Sequence, residues 1–337
     1  MKSARLRIVI MILMTWHLAG WWGCTGGNKT AGGGDIYSKK EVKILITDSG
    51  LGGISVTAGL EEKLSELKIW ERVELIFFNS LPSANYRYND LRTMEEKARI
   101  FNIALEKMEE KFAPDIILIA CNTLSVVYPH TEFSKSTKTK VLGIVEFGVE
   151  QVFEELKKNP GYDVIITGTK TTIESRDHEK LLIEKGVDKG RIVNQACGGL
   201  ESEIQHNPES ELVYGMIELY LDEAVTKLED RERETIVALC CSHYGFSENY
   251  FTEVIQEINN KNSKVVNPNK GMIDAVAKEE MKGRSEKSDI SVVVISRAEI
   301  TSEERESIGK YIEPYAEKTA KALMNYIFNP ELFNISK

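Results

Sequence analysis

Two hydrophobic periods alternate along the chain. Short runs of β-branched and aliphatic residues recur at 42–46, 73–78, 116–120, 141–145, 164–167, 192–194, 235–239, 264–266 and 291–295. Most are bounded by glycine or polar residues, and nearly continuous apolarity is what strands buried on both faces of a parallel sheet show. Between them lie stretches of period 3.6. Ile100, Phe101, Ala104, Leu105 and Met108 fall on one face of 94–112, and Tyr214, Ile217, Leu221 and Val225 on one face of 212–228. Ile308, Ile312, Ala316, Ala320 and Leu323 predict a late core-packing helix that stops at Phe328-Asn329-Pro330. Strand–helix alternation predicts an α/β architecture with parallel sheets.

Composition sharpens that picture. The 337 residues suffice for two packed units. With 43 Lys+Arg against 52 Asp+Glu the net charge is −9, which argues against nucleic acid, because phosphate recognition needs clustered cations. Five cysteines at irregular spacing form neither a disulfide framework nor a zinc ribbon, so no metal is expected. Lys2, Arg5 and Arg7 precede an apolar stretch that ends at Cys24. Residues 1–24 read as a signal peptide or lipoprotein-type leader with Cys24 as the lipid attachment point, and 25–40 as a glycine-rich flexible linker. That predicts a membrane-anchored lipoprotein; the alternative is a cytoplasmic protein.

Chemistry gathers at three predicted strand ends, where open α/β sheets bind ligands. The first is Thr47-Asp48-Ser49-Gly50-Leu51-Gly52-Gly53, the second Ala120-Cys121-Asn122-Thr123, the third Cys240-Cys241-Ser242-His243-Tyr244. The glycine-rich loop allows backbone N–H groups to approach an anion, yet it lacks the P-loop lysine, which favours a small carboxylate over a nucleotide. Read alone it is also an ordinary strand-to-helix turn, with Asp48 as a helix cap. A cysteine at a strand end before a helix has a route to a lowered pKa, and a free thiol ionises near ~8.5. Two such thiols flanking a small substrate would form an acid–base pair that inverts a stereocentre without a cofactor. A single cysteine more often reads as a small buried hydrophobe, the reading given to Cys197 and Cys240. His243 has a plain reading too, as a structurally satisfied imidazole.

These blocks resemble the signatures of the aspartate/glutamate racemase superfamily, and Cys241-Ser242-His243-Tyr244 is similar to its glutamate racemase branch. Gly168-Thr169-Lys170-Thr171-Thr172 and Val145-Glu146-Phe147-Gly148 resemble two further family segments. The resemblance covers 42 to about 300. It implies two similar parallel-sheet α/β lobes, 41–144 plus 246–337 and 145–245, with the site in the cleft between them. It implies an isomerase that racemises glutamate for peptidoglycan, with Cys121 and Cys241 as the two bases, Asp48 assisting the first and His243 the second. Ser49, Asn122, Thr123, Thr172 and Ser242 would hold the amino acid, and Glu146 would tune proton transfer. Where the family has Pro-Tyr-Gly the chain reads Asn85-Tyr86-Arg87, so Tyr86 carries over as a substrate contact and Arg87 is a departure; Ser242 replaces a threonine. The partner is a small acidic amino acid, with a homodimer and membrane anchoring through the N-terminus as further expectations. Two alternatives stand beside glutamate racemisation: a racemase for aspartate or another acidic amino acid, and a membrane-anchored, non-catalytic small-carboxylate-binding protein.

Overall fold

A computed structural model describes residues 35–83 and 86–335. Leader 1–24 with Cys24, most of the linker, and Asn85 lie outside the described residues. Ten strands are found among the described residues: β1 (Glu41–Asp48), β2 (Arg72–Asn79), β3 (Ile116–Ile119), β4 (Lys140–Gly143), β5 (Asp163–Gly168), β6 (Ile192–Ala196), β7 (Thr235–Cys240), β8 (Lys264–Val266), β9 (Asp289–Ser296) and β10 (Ile327–Phe328). They form two sheets, ordered β10-β9-β2-β1-β3-β4 and β6-β5-β7-β8, and every pairing is parallel. The apolar runs are explained by this arrangement. Ile44, Leu45, Ile46, Val164, Ile165, Ile236 and Val237 are all 0% exposed, because helices cover both faces of their sheets.

Strand order reverses once in each sheet. β1 pairs with β2 on one side and β3 on the other; β5 pairs with β6 and β7. Loops that leave such strands diverge and open a crevice at the carboxyl ends. One apolar cluster joins the halves, taking Ile44 and Ile46 from the first sheet, Leu60 and Leu64 from the helix Ile54–Leu67, and Val237 and Leu239 from the second sheet.

Four sequence expectations change. The second sheet takes Lys264–Val266, so it extends beyond the expected boundary at 245: the open edge of β7 is closed by a strand that returns after the helix Glu248–Ile258. The linker ends early, since Ile36–Ser38 forms a 3₁₀ turn in which Tyr37 stacks on Trp70 at 5.5 Å and Trp70 Nε1 donates to the Ile36 carbonyl. The late apolar face is carried by two helices, Ser302–Ile312 and Glu317–Met324, with Ile308, Ile312, Ala316, Ala320 and Leu323 buried as expected. The chain then leaves the helix and adds β10 to the edge of β9, where the sequence reading has helix up to 328. No described helix is long and apolar enough to cross a membrane.

Candidate active site

The loops after β1, β3, β5 and β7 converge on a cavity of about 160 Å³. Its wall includes Asp48, Ser49 and Gly50 after β1, Cys121, Asn122 and Thr123 after β3, Thr169 after β5, and Cys241, Ser242 and His243 after β7. The two thiols come from different sheets and meet in one space. Cys121 is 6% and Cys241 7% exposed, so each reaches the cavity and little else.

Cys121 is the N-cap of the short helix Asn122–Val127. Its Sγ lies 3.1 Å from Ser49 Oγ. The carboxylate of Asp48 accepts Ser242 O–H at 2.6 Å and Gly50 N–H at 3.0 Å. It therefore binds the two sheets together and does not cap the following helix, whose N-cap is Gly53. Burial pushes the Asp48 carboxyl up to about 6, against the hydrogen bonds from Ser242 and Gly50 that favour its charge.

The expectation of acidified thiols is reversed by burial. Burial pushes Cys121 up to about 12, with the Asp48 charge adding to the rise and Ser49 opposing it. Cys241 is likewise pushed well up, first by burial and then by Glu201 and Cys121. A short helix start cannot outweigh the loss of water around a thiolate.

Cys241 Sγ sits 3.8 Å from His243 Nδ1. On its other side His243 Nε2 is 2.9 Å from Gln205 Oε1, which also accepts Leu51 N–H at 3.1 Å. Gln205 Nε2 in turn donates to Glu304 Oε1 at 2.5 Å. An oxygen that already accepts from a backbone amide can only accept again, so Nε2 carries the imidazole proton. Nδ1 is then a bare lone pair directed at the thiol. Burial, helped by Arg87, holds His243 down at about 3, so the ring is neutral.

The remaining expected residues divide. Thr172 is buried behind the wall, 3.3 Å from Thr169 Oγ1 and 3.4 Å from Thr123 Oγ1, and Thr123 and Thr169 are themselves 2.8 Å apart. Glu146 is exposed on the helix Val145–Lys158 and does not line the cavity. Tyr86 does not line it either: the backbone bridge between Ser83 and Tyr86 turns that side chain against an apolar cluster. Tyr88, at the start of the 3₁₀ turn Tyr88–Asp90, takes the place at the wall, and its Oη finds no partner. Of the loop amides expected to meet an anion, Gly50 and Leu51 are already engaged by Asp48 and Gln205. Cys197 and Cys240 are 0% exposed within apolar clusters.

Sequence reasoning missed Glu201 and Gln205, which the helix Leu200–His206 presents four residues apart and hence on one face, and Glu304 from a distant helix. Arg87 is the one Lys or Arg among the described lining residues; its Nη1 lies 3.8 Å from Glu201 Oε1, and it donates to Ser202 Oγ.

No family model matches the chain. Curated relatives do. A glutamate racemase of Leptospira borgpetersenii is 28% identical over 209 residues, 62% of this chain and 72% of that protein. One of Leptospira interrogans is 27% identical over 236 residues, 70% of this chain and 81% of that protein. Among solved structures, glutamate racemase from Campylobacter jejuni aligns with a TM-score of 0.61 at 20% identity, covering 82% of this chain and 98% of that one. An isoform from Bacillus anthracis gives 0.64 at 18% identity over 81% and 95% of the two chains. The Francisella tularensis enzyme, solved in complex with D-glutamate, gives 0.60 at 17% identity over 86% and 96%. At these identities the structural likeness establishes the shared fold.

Proposed function

We propose that this chain, an amino-acid racemase of the aspartate/glutamate racemase superfamily, interconverts L- and D-glutamate without a cofactor, with Cys121 and Cys241 as its two proton carriers. The observation that carries the reading is that two thiols from different sheets wall one small cavity. Its 160 Å³ equals about five waters, the scale of a single small amino acid.

The raised thiol pKa values fit this chemistry if the substrate itself supplies the missing charge. A substrate ammonium about 4 Å from a thiolate is worth about 4 kcal/mol at an effective dielectric of ~20, or about three pKa units. Cys121, pushed up to about 12 by burial, then comes within reach of ionisation. Asp48 opposes a thiolate at Cys121, so its part is to hold the ammonium in place and not to take the thiol proton. On the other side His243 Nδ1 offers the Cys241 S–H a lone pair at 3.8 Å, a hydrogen bond that orients the thiol while the ring stays neutral.

One sulfur removes the Cα hydrogen while the other returns a proton to the opposite face. The carbanion between them has to be stabilised by hydrogen bonds to the α-carboxylate in a water-poor space. The hydroxyls of Ser49, Thr123, Thr169 and Ser242 and the amide of Asn122 stand around that space. Arg87, held by Glu201 at 3.8 Å, supplies the cationic group a distal carboxylate needs, which favours an acidic amino acid. D-glutamate made in this way would supply peptidoglycan synthesis.

The test is incubation with L-glutamate in deuterium oxide followed by chirally resolved mass spectrometry. D-glutamate with one deuterium at Cα is expected, with no exchange in neutral amino acids. Absence of both inversion and exchange overturns the reading.

A further inference from the structure

Asn122 lines the cavity and is 1% exposed, yet its amide is engaged on one side only. Its Oδ1 lies 3.1 Å from His178 Nε2, whereas its Nδ2 has no hydrogen-bond partner. His178 stands on the helix Asp177–Glu184, which follows β5 of the second sheet, while Asn122 follows β3 of the first. The histidine is 3% exposed, and its other nitrogen, Nδ1, also has no partner.

The orientation of the amide and the lack of any acceptor at His178 Nδ1 together place the proton. An amide oxygen can only accept, so the shared bond requires hydrogen on Nε2. Burial holds His178 down at about 4, so the ring is neutral and that proton is its only one. Nδ1 is left bare, which agrees with its lack of a donor. Asn122 Nδ2 is thereby left with both hydrogens unbonded, on a residue that lines the cavity. An unpartnered amide this deeply buried calls for an explanation, and a ligand acceptor in the cavity is one.

An asparagine side chain can turn over by half a rotation at almost no steric cost. Turned over, Asn122 would present its oxygen to the cavity and repel a carboxylate. We propose, on the basis of the function argued above, that His178 is a positioning residue. Its Nε2–H holds back Asn122 Oδ1, so that the amide offers only donors to an anionic group of the bound amino acid. The pin runs from one half of the molecule to the other, which makes the binding surface of the first half dependent on the seating of the second.

The experiment is a double-mutant cycle on the full chain. His178→Phe keeps a ring and removes the donor. His178→Gln keeps a donor near the position of Nε2. Asn122→Ala removes the group to be oriented. kcat and KM are measured for both glutamate enantiomers, with thermal unfolding alongside. His178→Phe is expected to raise KM roughly tenfold with a smaller change in kcat, and His178→Gln to recover most of that loss. In the Asn122→Ala background His178→Phe should change KM by less than about twofold. An unchanged KM in His178→Phe, or full multiplication of the two effects in the double variant, overturns the proposal. Should His178→Phe fail to fold, His178→Gln is compared with His178→Asn, whose shorter side chain cannot reach; equal KM values overturn the proposal. A wild-type chain that neither inverts nor exchanges glutamate overturns the underlying function, an outcome set apart because every protein in the cycle would then be inactive.

Discussion

Cys121 follows β3 of the first sheet and Cys241 follows β7 of the second, yet their neighbours differ. Cys121 has a hydroxyl at 3.1 Å and a buried carboxylate whose field opposes its ionisation. Cys241 has an imidazole nitrogen at 3.8 Å, oriented from behind by Gln205. Burial is the leading cause of the raised pKa on both sides. The halves are alike in topology and unlike in their proton routes. A reaction between mirror images does not require matching neighbours. It requires each sulfur to be competent when the substrate is between them.

The largest effect that can break this comparison comes from the sulfurs. Cys121→Ser and Cys241→Ser should each lower kcat/KM by roughly 10²–10⁴-fold. The loss should be equal in both directions, because enantiomers have equal free energy. The sides separate in solvent exchange: each variant should still exchange the Cα hydrogen of the one enantiomer that faces its remaining thiol. Loss of exchange for both enantiomers in a single variant would mean that the sides do not act independently.

Asp48, which bonds Ser242 of the second half and whose charge opposes ionisation of both thiols, gives the next effect. Its carboxyl moves from 3.8 to about 6 on folding, so the folded chain holds this proton more tightly than the unfolded chain. The stability that this group contributes is complete below about pH 4 and is lost as pH rises through about 6, a change of about 3 kcal/mol. Urea unfolding of wild type and Asp48→Asn at pH values on either side of that window should show the variant losing less stability as pH rises. Parallel losses would remove Asp48 from the account.

The smallest effect concerns Arg87, on the Cys241 side, where its charge helps keep His243 neutral. Arg87→Ala should raise KM for glutamate about fivefold, near 1 kcal/mol for a half-exposed ionic contact, with kcat little changed. An unchanged KM would assign recognition of the distal carboxylate to other groups.

Much of this was legible along the chain. Strands buried on both faces announce themselves as β-branched runs, and all nine expected strands occur, with polar clusters at the ends of β1, β3 and β7. What escaped depends on contacts distant in sequence. The choice of Tyr88 over Tyr86 is made by a one-pair bridge in an irregular segment that has no period to read. Gln205 becomes part of the site only because the helix Leu200–His206 lies beside His243 and Glu304. Thiol acidity went astray for a similar reason: a helix start is visible locally, whereas the removal of water around Cys121 is a property of the closed crevice.

Gly52 carries a consequence for the distance between the sulfurs. A methyl group placed there would lie 2.6 Å from His243 Nδ1 and 2.7 Å from the His243 backbone nitrogen. The main chain of one half thus rests against the imidazole of the other with no side chain between them. The gap that the substrate must fit is gauged by peptide geometry, which is far stiffer than rotamers. One added carbon would spoil that gauge while leaving both sheets intact.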